Sequence, residues 1–551
     1  MHATLAFAAL PLFLGALFSD WAYAQSYEVQ WTNFASWLTA GGLLLAGLAL
    51  LWGLVDQLRG GAARPRRGHR QRAGPREGRL GRDAHRHAAV GRRRAAGGAG
   101  QRDGAAGPAR AAGENRMKHR WNRGLTAAAA ALAVGAGTLL AVAQPGSGSP
   151  QEGAPDLPPP QRGLLPKMAI AKPAPWGDRR PTVPAGWSIS AIATDLQIPR
   201  QTLVLPNGDI LVAEGKGKSA PVLTPKDYVA SKIKSQGTTS VKGGNRLTLL
   251  RDADGDGTYE GRWVFAEQLN APYGLALVGN RLYVANQDAL VRFDYSPGQT
   301  QATQGPMQVA ALPSAINHHW TKALAADAEG RYLYVGIGSN SNVGERGMAI
   351  EENRAMVWQV DAQTGAARPF ATGLRNPTAL AFEPGSRQLW AVVNERDELG
   401  PELVPDYLTS VREGAFYGWP YAYWGPNVDT RVKPPDPQKV QATVKPDYAL
   451  QSHSAPLGLA FTRQAGEGPF GEGAFIGLHG SWNRAQPVGY KVIFVPFRDG
   501  KPAGPAVDFV TGFQADGKTM GRPVGVSVDS QGAVIVADDL SNTVWRVTRT
   551  R

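Results

Sequence analysis

The stretch GLRNPTALAF, residues 373–382, with RQLWAVVNE, residues 387–395, just beyond it, decides how this chain is read. A charged tip, Arg375-Asn376, leads into a proline and an alternating apolar run; a short turn and a second apolar run follow. Alternation at period two places side chains on opposite faces of an extended chain. The pattern therefore predicts a polar loop, a strand, a turn and another strand.

The same layout recurs through the last two thirds of the sequence. It is found in IPRQTLVLPNGDILVAE (198–214), APYGLALVGNRLYVAN (271–286), HWTKALAADAEGRYLYVGIG (319–338), NPTALAFEPGSRQLWAVVN (376–394), APLGLAFTRQAGEGPFGEGAFIGLHG (455–480) and RPVGVSVDSQGAVIVADD (522–539). The repeats are spaced irregularly, by about 50 to 85 residues, which leaves room for insertions. Units that cannot each bury both faces alone must stack, and six of them predict an all-β fold, a six-bladed β-propeller; a β-sandwich is the other reading. In a propeller the equivalent loops face one end of a central channel. The tips then form a ring of Arg200, Tyr273, His318 and His319 with Lys322, Arg375 and Asn376, His453, and Arg522. A lone buried Arg is costly, so converging basic groups imply an anion at the channel mouth, a polycarboxylate or a phosphate.

Composition sets the outer bounds. The chain has 551 residues, 67 Gly and 41 Pro, which suits many turns, and 15 Trp, which suits an aromatic core or a sugar-facing surface. It has no Cys, which excludes disulfides, thiolate metal sites, cysteine nucleophiles and a C-x-x-C-H haem attachment, and suits an exported bacterial protein. The net charge of +14 misleads: Arg59 to Arg123 holds 19 Lys/Arg against 4 Asp/Glu, and the rest is close to neutral. The basic balance is thus no argument for nucleic-acid binding.

The N-terminal third is of another kind. Residues 1–58 carry apolar segments at 3–18 and 34–55, the second long enough to span a bilayer and followed by basic residues. Residues 59–116 are Arg, Gly and Ala and predict a disordered tract. Residues 117–143 read as a signal peptide, with the basic MKHRWNRG, an apolar core and AVA before Gln144. Residues 144–183 are Pro/Gly-rich and predict a linker, and 184–551 the β domain. A signal peptide behind a membrane-like segment predicts a misplaced start or two fused reading frames; a membrane-anchored protein with a basic linker is the other reading. Localisation is expected to be periplasmic.

Several stretches carry chemistry. LPSAINHHWTK offers two adjacent histidines, of which one suits a general base. NERDELGPELVPDY (394–407) combines carboxylates with the Gly400-Pro401 turn and Asp406, a donor set for Ca²⁺ or simply solvated loop charge. DADGDGTYE begins like an EF-hand, but Trp263 stands at the twelfth position, which favours a plain turn. HGSWNRAQPVGYK (479–491) presents Trp482, Arg484 and Lys491. No P-loop, G-x-S-x-G elbow or H-E-x-x-H occurs, which counts against NTPase, α/β-hydrolase and zincin chemistry.

At LPSAINHHWTK, GLRNPTALAF, NERDELGP, FYGWP (416–420), HSAPLGLAF (453–461), HGSWNR and GRPVGVSVD the sequence resembles the sorbosone dehydrogenase branch of the pyrroloquinoline quinone (PQQ)-dependent sugar dehydrogenases. That group is related to soluble quinoprotein glucose dehydrogenase and aldose sugar dehydrogenase, and the resemblance covers about Pro184 to Arg549. It implies PQQ in the channel mouth beside Ca²⁺. It further implies His319 as the base, with His318 the alternative, and Arg375 and Asn376 beside the quinone. The Gly400 and Pro401 carbonyls would ligate calcium. Asp406 is expected beside them. Arg484 and Lys491 would lie near the cofactor carboxylates, Arg200, Lys322, His453 and Arg522 of the basic ring would face the same anion, and Trp482 would be an aromatic platform for it. A glutamine that contacts PQQ in glucose dehydrogenase has no counterpart near Tyr273, which leaves the substrate open. The implied activity is oxidation of an aldose or sorbosone-like aldehyde, with electrons passing to a quinone, a dye or a cytochrome c. A Ca²⁺-dependent lactonase propeller would need a carboxylate-rich axial metal site. A non-enzymatic binding propeller would need no paired His and Arg.

Overall fold

The computed structural model describes residues 2–26, 29–60 and most of 153–550, with breaks at 154, 162–168, 170–171, 218–227, 229–230, 233–234, 238 and 464–469. The expected disordered tract and signal-like segment lie outside the described residues beyond position 60. The chain divides into two compact units, Met1–Leu54 with Ser149–Arg551, and Val55–Gly148. The N-terminal segments form α1 (His2–Ser26) and α2 (Val29–Gly60). Within α2, Ala35–Val55 is long and apolar enough to cross a membrane.

Each of the six repeated segments forms an antiparallel strand pair. Their first strands are β1 (Pro199–Val204), β2 (Gly274–Val278), β3 (Lys322–Ala326), β4 (Pro377–Phe382), β5 (Pro456–Arg463) and β6 (Pro523–Val528). Each leads an antiparallel sheet of four or five strands. Successive first strands pack on one another in the order of the chain, and β6 packs back on β1. A cavity of about 260 Å³ runs between them, lined by Gln201, Leu275, Leu324, Thr378, Leu459 and Ser527 among others, so all six strands contribute.

Sequence explains this closeness. A Pro-x-Gly unit opens three repeats, at Pro272, Pro456 and Pro523. Proline has no N–H for the ladder and belongs at a strand's start. The register shifts just inside β1, β4, β5 and β6, which turns the tips out of the sheets. The glycine lets neighbouring backbones meet: a Cβ on Gly458 would lie 2.2 Å from the Val524 carbonyl, and one on Gly525 2.4 Å from that of Arg200.

The apolar core is divided. Adjacent sheets face each other across separate clusters, such as Phe265 with Leu282 and Phe293, or Val357 with Leu389 and Val393. A further cluster joins Ile535 and Val544 of the last sheet to Ile210 and Val212 of the first. The last sheet is completed by Trp187–Ala193, which pairs with the C-terminal strand Thr543–Arg549.

Part of the expected linker is docked on the β domain. Lys172 and Pro173 pair with Lys518 and Thr519, Thr182 bridges Thr511, and the Gln161 amide donates to the Leu399 carbonyl. In the DADGDG loop Asp252 accepts from the amides of Gly255 and Gly257, and Asp256 from that of Thr258, while carboxylate oxygens of Asp252, Asp254, Asp256 and Glu260 lie within 4.8 Å of one another, so both the turn and the weak Ca²⁺ reading stand.

Candidate active site

The polar tips of β3 and β4 meet at Ser339. His319 Nδ1 lies 2.8 Å from the Ser339 carbonyl oxygen. A carbonyl can only accept, so Nδ1 carries the hydrogen and Nε2 keeps its lone pair. The Ser339 amide in turn donates to the Arg375 carbonyl at 2.8 Å. Burial lowers the His319 pKa well below the ordinary histidine value, and Arg375, His318 and Arg354 add to the effect. The shift favours the neutral imidazole, whose Nε2 lone pair is then open. The His318 ring meets it edge-on at 4.7 Å.

Beneath the base lies a scaffold of buried cations. Arg354 donates to the carbonyls of Gly338, Pro313 and His319 at 2.8, 2.8 and 3.0 Å. Lys322 bonds Asn317 Oδ1 and the Trp320 carbonyl, both at 3.0 Å, and burial together with Arg354 lowers its pKa well below the usual range. Lys322 thus supports the loop of the base, and its ammonium is spent on that loop.

Arg375 is 4% exposed and held mainly by main-chain oxygens. It donates to the carbonyls of Asn342 and Glu395 at 3.1 and 2.8 Å and to Asn342 Oδ1 at 3.0 Å, with Asp397 3.8 Å away. Trp419, from FYGWP, also donates to the Asn342 carbonyl at 2.9 Å. Asp397 accepts from Asn483 at 2.6 Å, His453 Nδ1 lies 3.0 Å from Asn483 Nδ2 and 3.4 Å from Asp397, and His453 Nε2 lies 3.0 Å from the Gly400 carbonyl. Burial opposes the charged form of His453, but Asp397 and the Gly400 carbonyl outweigh it and raise the pKa. Arg484 reaches the Pro401 carbonyl at 2.5 Å and pairs with Glu402. Gly400 has φ 117°, a conformation suited to glycine, and turns its carbonyl into this group. Trp482 stands half-buried beside Asn483 and Arg484.

The remaining expected residues have other partners. Arg200 and Arg522 converge on Asp539. Lys491 does not join the mouth: its ammonium pairs with Asp508 on the neighbouring strand, 2.6 Å away, because it begins an outer strand. Asp406 also has a structural part in this loop. Its oxygens accept from the amides of Glu395 and Ala455, both at 2.8 Å, and burial pushes its pKa up to about 6. It bolts the 394–407 loop to the tip of β5.

Buried polar atoms without a hydrogen-bond partner recur on these same tips: Thr321 Oγ1, Asn376 Oδ1, Asn394 Oδ1, Glu402 Oε2, Ser452 Oγ, Asn483 Oδ1 and Arg484 Nε. Each orphan costs about 1–3 kcal/mol, so the tips suit a polar ligand. Sequence reasoning missed Asn342, Arg354, Asp397, Asn483 and Asp539 as individuals, although NERDELGP and HGSWNR contain two of them.

The sequence model of the TrAA12-like family matches residues 181–405 and 427–550. An uncharacterised protein of Borreliella burgdorferi is 28% identical over 301 residues, 52% of this chain and 77% of that protein. A pyrroloquinoline quinone-dependent pyranose dehydrogenase of Coprinopsis cinerea is 24% identical over 354 residues, 56% of this chain and 44% of that enzyme. This chain thus spans less than half of the fungal enzyme. The holo PQQ domain of a pyranose dehydrogenase from C. cinerea superposes with a TM-score of 0.55 at 20% identity, covering 69% of this chain and all of that domain. The calcium structure of a Trichoderma reesei family AA12 carbohydrate-active enzyme gives 0.54 at 20% identity, covering 70% and 99%. Both likenesses speak to the fold.

Proposed function

The chain belongs to the TrAA12-like family, and on that premise we propose that its β domain is a six-bladed quinoprotein propeller that oxidises a sugar or a sorbosone-like aldehyde. The observation that carries the reading is the His319 imidazole. It is neutral and fixed by Ser339, and it lies beside the buried Arg375 and the unpartnered Asn376 Oδ1.

The donor set fits both implied groups. Among the described residues the unpartnered Ser452 Oγ and Arg484 Nε can donate to a carboxylate of a tricarboxylate quinone, whereas Asn376 Oδ1 and Asn483 Oδ1 accept and would face a donor or a cation. Arg375, Asn376, Arg484, His453 and Trp482 would hold the quinone. The Gly400 and Pro401 carbonyls each accept one bond and retain a second lone pair, and they are oxygen donors of the kind that Ca²⁺ takes. Bound there, PQQ supplies a two-electron acceptor that Ca²⁺ polarises as a Lewis acid.

The chain's own groups do the rest. His319 Nε2 takes the proton from the anomeric hydroxyl of an aldose, or from a hydrated aldehyde, as the adjacent C–H leaves with its electron pair. Ser339 keeps the proton of Nδ1 in place, so the ring cannot turn its N–H toward the substrate. Arg375, locked by Asn342 and Glu395, offers fixed positive charge where oxyanion character develops. Products are the lactone or acid. Electrons leave to a quinone, a dye or a cytochrome c, and the protein acts in the periplasm, anchored through Ala35–Val55 where that segment is retained. A lactonase reading is disfavoured because no carboxylate lines the axial cavity among the described residues.

The test is reconstitution of the full chain with PQQ and Ca²⁺, followed by dye reduction with a panel of aldoses and sorbosone. His319→Ala should abolish turnover and His318→Ala should not. A chain that binds no PQQ would sink the proposal.

A further inference from the structure

Arg200, Arg522 and His479 form a second basic centre, and Asp539 holds it together. Arg200 Nη1 lies 2.7 Å from Asp539 Oδ2, Arg522 Nε 3.1 Å from Oδ1, and His479 Nε2 3.1 Å from both oxygens. The four residues come from the tips of β1 and β6, the end of the fifth repeat and the end of the sixth, so one carboxylate gathers separate sheets. Main-chain oxygens fix the arginines further: Arg200 Nε donates to Gly215 and Arg522 Nη1 to Gly237, at 3.1 and 2.9 Å.

Two guanidiniums meet the Asp539 carboxylate, the buried Asp538 carboxyl beside it accepts from the Arg522 amide at 2.8 Å, and burial lowers the His479 pKa. Nη2 of Arg200 and of Arg522 makes no hydrogen bond among the described residues. The side chains of Arg200, Arg522 and His479 are 13%, 15% and 19% exposed, so the centre is sheltered yet open to a ligand. Two preoriented guanidiniums with free N–H groups are a carboxylate clamp.

Among the described residues no hydrogen bond joins this centre to the Arg375 and Arg484 network. Its link to the base is Trp320, the residue after His319. The Arg200 guanidinium lies 5.2 Å from the indole centroid, and Tyr273 meets the same ring edge-on at 5.7 Å. Gly217 seats the indole, since a Cβ there would fall 2.1 Å from it. Resting on the quinoprotein reading above, we propose that this centre binds the carboxylate of an acidic sugar substrate, so that the enzyme selects uronates over neutral aldoses.

The test begins without cofactor. D-glucuronate and D-glucose are titrated calorimetrically into the PQQ-free full chain at low and high salt, for wild type, Arg200→Gln and Arg522→Gln. PQQ binding is titrated on the same proteins by absorbance. Glucuronate should bind wild type at least about tenfold more tightly than glucose at low salt, the worth of one charge-assisted bond, and salt should erase the difference. Each substitution should remove the preference and leave PQQ affinity within about twofold. After reconstitution, kcat/KM should favour glucuronate by a similar factor. Equal binding of the two sugars by wild type refutes the site, a result that does not depend on how the variants fold. Variants that lose PQQ instead of glucuronate also refute it and give the centre to the cofactor. Tight glucuronate binding without dye reduction would support the clamp and overturn the oxidoreductase reading, which separates the two failures.

Discussion

Gly338 offers a direct test of the site geometry. It stands between the base and the polar group opposite: a Cβ on it would lie 2.2 Å from Asn376 Oδ1 and 2.6 Å from His319 Cβ. Ordinary contacts begin near 3.4 Å, so Gly338→Ala must push Asn376, His319 or both back by about 1 Å. The Gly338 carbonyl also accepts from Arg354 at 2.8 Å, so the scaffold under the base moves with it. The Gly338 backbone is not in the left-handed region, and the effect is steric. A displacement of that size should lower kcat by about 100-fold, and overpacking should reduce stability by about 1–3 kcal/mol. Dye-linked turnover of the reconstituted enzyme and thermal unfolding measure the two effects. Gly305→Ala, whose Cβ meets nothing within 4 Å, is the control and should change neither. A Gly338→Ala protein with wild-type kcat and unchanged Tm would refute the placement of His319 against Asn376.

Other outcomes follow from the same geometry. His319→Gln should lower kcat by about 10²–10⁴-fold, and His318→Gln by less than tenfold. Because the His319 pKa is depressed, the neutral base persists as pH falls through the ordinary histidine range. The acid limb of kcat/KM should therefore lie below pH 6.5, and a limb at or above that value would contradict the burial argument. The same shift should withdraw stability as pH falls through the unfolded value, since the unfolded imidazole takes up its proton first. Chelation should abolish turnover of the reconstituted enzyme and added Ca²⁺ restore it; retained activity would remove the metal from the Gly400 and Pro401 carbonyls. Arg396→Leu should cost about 3–5 kcal/mol in denaturant unfolding, because fully buried Arg396 pairs with Glu395 and Asp429 and donates to the Pro420 and Ala422 carbonyls.

The strand pairs were legible because period two and the Pro-x-Gly openings are local signals, and each quoted repeat is an antiparallel pair in the structure. The outer strands were less legible, since Tyr448–Ala449 follows its partner Tyr407–Ser410 across a long insertion. His319 and Arg375 stood out by position on their tips. Their partners did not, because Asn342, Arg354 and Asp397 act across loops distant in sequence, through main-chain oxygens that any residue carries. Lys491 shows the opposite error: a basic residue in a promising motif is taken up by Asp508, seventeen positions on. Asp406 carries a part that sequence did not show, since its two amide donors, Glu395 and Ala455, lie eleven and forty-nine positions away. The docking of Lys172 and Pro173 was hidden by a composition that reads as linker.

The pairing of Trp187–Ala193 with Thr543–Arg549 has a consequence for folding. The C-terminal strand is the third of its sheet, flanked on one side by residues made some 350 positions earlier and on the other by Val534–Asp538. Joining strands so far apart in the chain carries a loop-closure entropy on the order of 5 kcal/mol, so the closure follows the pairing of the local strands. Until then the first and last sheets expose the faces that Ile210, Ile535 and Val544 later cover.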